Sequence, residues 1–195
     1  MRQLELYQLV SAISRAVEAR DSYTSMHQSR VSALSRKIAQ ELSLSTDQID
    51  CVRISAVLHD IGKLGIPTAI LSKAGKLRKE EFDLIKLHPT IGEDILKEVD
   101  FSWPVATVVR QHHERLNGSG YPDRLTAKDI LIEAKIIAVA DVVEFMSQSR
   151  SYRQALGLEA ALEEIQTNKD ILYDRDVVDV CINIFSRNAL NECFG

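Results

Sequence analysis

The sequence LIEAKIIAVADVVEFM, residues 131–146, is apolar on almost every side when drawn as a helix. A helix that is apolar all round is stable in water only when other elements enclose it, so this segment predicts a central buried helix. Its longest unbroken apolar stretch, IIAVA, is far short of the ~20 residues that span a bilayer. The segment therefore belongs to a protein core, and we expect no membrane insertion.

The composition indicates that helices are the main regular structure. Among 195 residues there are 8 Gly and 4 Pro, and aromatic residues make up 6%. Such sparse turn residues favour long helices over many short strands joined by tight turns. A chain of this length can bury roughly 70% of its unfolded surface in one core. The sequence therefore predicts an all-α fold, a single bundle of about seven to nine helices.

Apolar residues at helical spacing place the individual helices. An amphipathic helix within residues 1–20 is predicted to be a lid or a linker, and residues 21–195 to form the domain itself. A loop is predicted over residues 62–79, where Gly and Pro are more frequent. Further helices are predicted from about His27 to Leu42, from Ser45 to His59, and over about 80–88, 91–99, 104–114, 158–168 and 174–190.

Charge and cysteine usage exclude several classes of protein. Lys and Arg number 24 against 28 Asp and Glu, and the net charge of −4 argues against a general DNA- or RNA-binding protein. Cys51, Cys181 and Cys193 are widely spaced and form no CxxC pair, so we expect reduced structural thiols. No secretory leader is recognisable at the start of the sequence, and a cytoplasmic location is predicted.

Several side chains that can bind metals fall on buried faces. Asp141 interrupts the apolar run, and an unpaired carboxylate there would be costly, so it needs Lys135, an arginine or a metal as its partner. The apolar stripes of two predicted helices lead back to His27 and forward to His59, which Asp60 follows directly. One buried histidine is more often a hydrogen-bonded core residue than a ligand. Five histidines with two buried acids instead favour a transition-metal site.

Four ordered motifs resemble those of the HD-GYP family of cyclic-dinucleotide phosphodiesterases. They are HDIGKLGIP (59–67), HPTIGEDIL (88–96), HHERLNGSGYP (112–122) and IIAVADVVEFMSQSRSYRQAL (136–156). The last is similar to the metal-binding aspartate helix of the family and to its Arg-x-Tyr-Arg segment. The resemblance covers roughly residues 20–179 and implies an HD-type helical bundle around a buried di-metal site.

The resemblance also implies a set of metal ligands. One metal would be held by His27, His59, Asp60 and Asp141, and a second by His88, His112 and His113, with Asp60 bridging the two. Both would be divalent ions, with iron or manganese compatible with imidazole and carboxylate ligands. Some members bind a third metal through a glutamate one turn before the first histidine. Here that position is Tyr23, so we expect two metals.

Substrate contacts are implied for residues around this centre. Asp60 and Lys63 are the candidate catalytic residues, and Lys63 would approach the scissile phosphate unless it is merely a solvated lysine. Arg150 and Arg153 would bind phosphate or guanine, or else form a solvated pair. The GYP loop, with Gly118, Gly120, Tyr121 and Pro122, would either form a wall of the site or only brace the histidines beside it.

Three other positions depart from the family pattern. Asn117 and Glu144 stand where aspartate is usual, and Ser151 stands where proline is usual. They leave the preference between cyclic di-GMP and mixed cyclic GMP-AMP open.

The expected activity is hydrolysis of cyclic di-GMP to linear pGpG, to GMP, or to both. A nucleotidase or di-iron oxygenase of the wider HD superfamily is an alternative enzyme, although the GYP loop argues against it. A catalytically silent module that binds a cyclic dinucleotide is the alternative outside enzymes. The family resemblance suggests diguanylate cyclase domains, or a fused sensor or receiver domain, as partners.

Overall fold

The computed structural model describes residues 3–18, 26–73, 75–147 and 157–187. Within these ranges it contains nine α-helices of seven or more residues, one single-turn α-helix and one 3-10 helix, with no β-strand beyond isolated bridges. The predicted all-α fold is confirmed. The α-helices are α1 (Gln3–Glu18), α2 (His27–Glu41), α3 (Thr46–Leu58), α4 (Thr68–Leu71), α5 (Lys79–Ile85), α6 (His88–Leu96), α7 (Val105–Gln111), α8 (Ile132–Ser147), α9 (Leu158–Thr167) and α10 (Arg175–Ser186).

Helix α8 is the central helix that its composition predicts. It packs against α2, α3, α7, α9 and α10. Its side chains Ile136, Ile137, Val139 and Val143 have no solvent exposure. Enclosure on every side explains how a helix without a polar face is stable in this chain.

Helix α1 packs on a second, smaller core. Val10 and Val17 are buried there against side chains of α3, α6 and α7 and against Ile61 of the 3-10 helix. The predicted end of this helix near residues 20–21 lies outside the described residues, and its interpretation as a lid or linker stays a prediction. No helix of the described part is both long and apolar enough to cross a bilayer.

The predicted loop over residues 62–79 is partly wrong. The 3-10 helix (Ile61–Gly65) and α4 (Thr68–Leu71) fall largely or wholly inside it. Both are too short to produce a periodic apolar pattern, which is why the sequence did not indicate them. The remaining helices lie within a few residues of their predicted bounds, and a capping box formed by Ser45 and Gln48 begins α3.

Two glycines bring the 3-10 helix and α6 into backbone contact. A Cβ atom on Gly62 would lie 1.8 Å from the carbonyl oxygen of His88 and 2.6 Å from the amide nitrogen of Gly92. Only residues without side chains allow this approach. The contact holds the start of α6, with His88, directly beside Asp60 at the start of the 3-10 helix.

Candidate metal centre

All five histidines and both predicted aspartates meet at one end of the bundle. Three groups have possible ligand atoms that lie within 4.8 Å of one another. They are His27 with His59 and Asp141, His59 with Asp60 and His112, and His88 with His112 and His113. Helices α2, α6 and α8 and the turns that follow α3 and α7 supply these residues, so a site predicted from separate segments is assembled in space.

Three of the histidines are oriented by main-chain carbonyls. His59 Nδ1 donates to the Ala56 carbonyl oxygen at 2.7 Å, and His88 Nδ1 donates to that of Ile85 at 2.8 Å. His112 Nδ1 makes the same bond to Val109, also three residues earlier, at 2.5 Å. Each bond fixes the ring and leaves its Nε2 atom directed at the centre. Metal-binding histidines are commonly held in this way.

His27 is held differently. It is the first residue of α2, so no preceding turn of helix offers it a carbonyl. Its Nδ1 instead bonds to a carboxylate oxygen of Glu144, a residue of α8 that is 1% exposed. The other oxygen of Glu144 accepts from Arg30 Nε at 2.8 Å. In the sequence, Glu144 is visible only as a departure from the family pattern, and its orienting contact with His27 is not predicted.

Asp60 lies between two histidines that belong to different groups. Its Oδ2 is 3.4 Å from His59 Nε2, and its Oδ1 is 3.5 Å from His88 Nε2. Lys63 follows it by three residues, and the Lys63 Nζ donates to Asp60 Oδ2 at 2.7 Å. Lys63 is therefore not a remote solvated lysine, because its charge lies at the edge of the centre.

Asp141 pairs with histidines. Its Oδ1 is 3.2 Å from His27 Nε2 and 4.0 Å from His59 Nε2. The alternative partner Lys135 bonds to Asp174 instead, with Nζ and Oδ2 3.2 Å apart. The carboxylate of Asp141 thus faces the same space as the imidazole nitrogens.

Burial and charge set distinct protonation states around the centre. Burial lowers the pKa of His88 to about 4, and it holds the pKa values of His112 and His113 well below the usual range. Burial also opposes the charged form of His27, but hydrogen bonds to Asp141 and Glu144 outweigh it and raise the pKa of His27 to about 9. Burial alone would raise the pKa of Asp60, but the charge of Lys63 and nearby imidazoles lower it well below its usual value.

The chemistry of this donor set fits divalent transition metals. Neutral imidazoles and ionised carboxylates are the forms that bind such ions, and most are present here before any metal binds. The Nε2 atoms point inward, and the second nitrogen of His27, His59, His88 and His112 is occupied. Soft thiolate ligands are absent from all three groups. The arrangement suits iron or manganese as well as it suits zinc.

The GYP loop contacts the centre through the Tyr121 ring. The Tyr121 ring stacks on His113, with centroids 4.8 Å apart and planes at 30°. Gly118 has a φ of 76°, and a Cβ atom on Gly120 would lie 2.5 Å from the main chain of Glu114 and Arg115. Both glycines are therefore required by the backbone of the loop.

A buried carboxylate fastens this loop. Glu114, 2% exposed, accepts hydrogen bonds from three consecutive amides of the loop's far side. The donors are Asp123 N at 2.7 Å, Arg124 N at 3.1 Å and Leu125 N at 3.0 Å. Glu114 is not among the predicted site residues, although its position directly after two candidate ligands is a signal in the sequence.

Three predicted positions fall outside the part of the chain that the structure describes. They are Arg150, Arg153 and Tyr23, and their roles stay predictions from the sequence. Cys51 and Cys181 are buried in the core, away from the three groups, as expected for structural thiols, and Cys193 is not among the described residues.

The curated proteins that this chain resembles include cyclic di-GMP phosphodiesterases, in agreement with the resemblance of its four motifs. The chain is 37% identical over 188 residues to the cyclic di-GMP phosphodiesterase response regulator RpfG of Xanthomonas campestris, covering 95% of this chain and 49% of that protein. It is 38% identical over 183 residues to a cyclic di-GMP phosphodiesterase of Thermotoga maritima, covering 92% of this chain and 49% of that one. The chain therefore spans about half the length of these curated relatives.

Solved structures share the fold. A cyclic GMP-AMP specific phosphodiesterase of Vibrio cholerae superposes with a TM-score of 0.72 over 96% of this chain and 51% of the other, at 19% identity. A family model described as HD domain matches residues 11–177. The chain belongs to the HD domain family, and the HD-GYP resemblance of its motifs is confirmed.

Proposed function

We propose that this chain hydrolyses the phosphodiester bonds of a cyclic dinucleotide, cyclic di-GMP above all, to linear pGpG, to GMP, or to both. The observation that carries the proposal is the position of Asp60, whose two oxygens face His59 on one side and His88 on the other. A carboxylate between two groups of imidazoles is suited to bridging a pair of metals. Such pairs stabilise both the attacking and the leaving oxygen of a phosphodiester.

Seven residues would hold the two divalent ions. His27, His59 and Asp141 would bind one, and His88, His112 and His113 the other, with Asp60 shared. When bound, the ions would supply Lewis acidity and lower the pKa of a water molecule. Iron and manganese are the ions we favour, because imidazole and carboxylate ligands suit them.

The chain's own groups would bind and orient the substrate. The Lys63 ammonium lies beside Asp60, where it would attract the scissile phosphate and stabilise charge on the leaving oxygen. The Tyr121 ring, stacked on His113, would exclude water from one side. Arg150 and Arg153 are proposed as further phosphate or guanine contacts on the sequence resemblance alone.

Mixed cyclic GMP-AMP is the second candidate substrate, because a Vibrio cholerae relative that is 36% identical over 160 residues is named a 3'3'-cGAMP-specific phosphodiesterase. A silent binding module is less favoured, because all seven proposed ligands are present and gathered together.

We further propose residues 21–195 as the catalytic domain, a cytoplasmic setting, and a fused sensor or receiver domain or a cyclase as partner. The length of the curated relatives is compatible with an additional domain.

Product analysis tests the proposal. Anaerobically purified chain, loaded with iron or manganese, is incubated with cyclic di-GMP or cyclic GMP-AMP, and the products are separated by chromatography. We expect linear dinucleotide or GMP, and we expect their formation to stop on chelation. Absence of product from a chain shown to hold two metals would reject hydrolysis and favour the binding module. Oxygen uptake during the reaction would instead indicate an oxygenase.

A further inference from the structure

A cleft with a volume of about 460 Å³ lies next to the metal centre, between the end of α5 and the GYP loop. Its walls include Asp83, Lys86, Tyr121 and Arg124, together with residues 118–120 of the GYP loop. This volume is within the range of small-ligand pockets, roughly 300–1,000 Å³. Neither the Lys86 nor the Arg124 side chain has a part in the proposed metal binding or in the proposed hydrolysis.

The cleft and the metal centre share the Tyr121 ring. The ring stacks on His113 of the centre, and it also lines the cleft. Lys86 precedes His88 by two residues, and its Nζ lies 5.7 Å from the centroid of the Tyr121 ring. A molecule that occupies the centre and extends past this tyrosine therefore enters the cleft.

Two positively charged side chains, Lys86 and Arg124, line the cleft. The Lys86 ammonium is 3.5 Å from Asp83 Oδ1, one helical turn earlier, which keeps it at the cleft wall. The guanidinium of Arg124 makes no ion pair with any residue that the structure describes, and its side chain is exposed. The single carboxylate of Asp83 offsets only one of these two positive charges, so the lining keeps an excess positive charge and attracts anions.

The backbone at Arg124 is unusual. Its φ is 57°, in the left-handed region that costs free energy for any residue with a side chain. The hydrogen bond from its amide to Glu114 Oε1, at 3.1 Å, helps to hold this conformation. Glycine would fit more easily here. A residue with a strained backbone conformation is typical of a functional site, and we therefore expect the Arg124 side chain to bind a ligand.

We infer that this cleft is the subsite for the second, uncleaved phosphate of the cyclic dinucleotide, with Lys86 and Arg124 as its ligands. The inference rests on the proposed function. The two phosphates of a cyclic dinucleotide lie on opposite sides of one small ring. When one phosphate is at the metal centre, the other lies about a nucleotide away, and a ring that extends past Tyr121 places it between these two cations.

Two substrates that differ in the second phosphate test the inference. Cyclic di-GMP has it, whereas bis(p-nitrophenyl) phosphate is a diester with one phosphate only. For Arg124→Gln and Lys86→Gln, we expect the ratio of kcat/KM for cyclic di-GMP to that for the p-nitrophenyl diester to fall about tenfold, mainly through KM. Glutamine removes the charge but keeps an unbranched polar side chain, and it costs no more backbone strain at position 124 than arginine does. Matched controls are Lys79→Gln on α5 and Lys128→Gln beyond the loop, which should leave the ratio unchanged.

The possible outcomes separate the inference from the proposed function. Ratios within twofold of wild type in both variants would overturn the inference, as would an equal loss on both substrates, which indicates damage to the centre. If the wild-type chain cleaves the p-nitrophenyl diester but no cyclic dinucleotide, the proposed function is wrong and the inference falls with it. Wild-type turnover of cyclic di-GMP with a tenfold lower ratio in both variants supports both.

Discussion

The carboxylate of Glu144 bonds to Nδ1 of His27 and replaces the main-chain carbonyl that orients His59, His88 and His112. Arg30 bonds to the second oxygen of the same carboxylate, so α2 and α8 are joined by a buried network. The orientation of one proposed metal ligand thus depends on a charged side chain, while that of three others depends on the helical backbone.

Loss of the Glu144 charge should weaken metal binding. In Glu144→Gln the side chain keeps its shape, but its hydrogen bond to His27 is weaker and Arg30 loses its ionic partner. We expect the affinity for manganese to fall about tenfold or more, as is common for the residues that orient metal ligands. Titration of the metal-free chain with Mn²⁺ measures this. The exposed Glu159→Gln on α9 is the control, and unchanged affinity in Glu144→Gln would contradict the assigned role.

The glycine contact between the 3-10 helix and α6 predicts a difference between two similar substitutions. In Gly62→Ala the new methyl group would overlap the His88 carbonyl, so α6 must move. We expect a loss of about 3 kcal/mol in the free energy of unfolding, together with weaker metal binding. Gly65→Ala in the same 3-10 helix meets only the Ile91 side chain, at 3.0 Å, and should cost less than about 1 kcal/mol. Equal losses in urea denaturation would contradict this account.

Glu114 should control the order of the GYP loop. In Glu114→Gln one oxygen becomes an NH₂ group, which cannot accept from the amides of residues 123–125. We expect a loss of about 1–3 kcal/mol in stability. Amide hydrogen exchange at these three positions should accelerate, while exchange in α8 changes much less. The exposed Glu98→Gln serves as the control, and slow exchange in Glu114→Gln would show that the loop is held by other contacts.

Metal binding should release a proton from His27. The pKa of His27 is about 9 in the metal-free chain, so the ring is protonated at pH 7.5, whereas a ligand must be neutral. We expect release of about one proton at pH 7.5, decreasing as the pH rises through 9. Calorimetric titration with Mn²⁺ in two buffers of different ionisation enthalpy measures it. No proton release at pH 7.5 would contradict the raised pKa.

The raised pKa of His27 also determines how the stability of the metal-free fold changes with pH. Because the pKa of His27 is raised above 6.5, its attraction to Asp141 and Glu144 stabilises the metal-free fold fully below pH 6.5. This contribution is lost as the pH rises through about 9. In contrast, the pKa of His88 is lowered to about 4, because its ring is buried in the neutral form. The stability of the fold that depends on this neutral ring is therefore lost as the pH falls below 6.5 towards 4.

The helices and the inward histidines could be predicted because periodicity is local. The buried residues Val31, Leu34 and Ile38 define one face of α2, and His27 lies on the same face at the start of the helix. Short elements were missed for the same reason. The 3-10 helix and α4 contain too few residues to repeat an apolar pattern.

Contacts between distant segments could not be predicted from the sequence. His27 and Glu144 are separated by 117 positions, and nothing in either segment alone indicates the other. The cleft also depends on a contact between distant segments, because Lys86 and Arg124 line one cavity only after α5 and the GYP loop pack together. The motifs identified the proposed ligands, but not the residues that orient them.

The most direct test of the central claim compares the wild-type chain with Asp60→Ala. Metal content is measured by mass spectrometry on protein loaded under anaerobic conditions, and turnover of cyclic di-GMP is measured on the same samples. We predict two metals per chain in the wild type, and in Asp60→Ala fewer than one together with no turnover, because both ions would lose their shared ligand. An Asp60→Ala chain that keeps two metals, or that still hydrolyses cyclic di-GMP, would contradict the account.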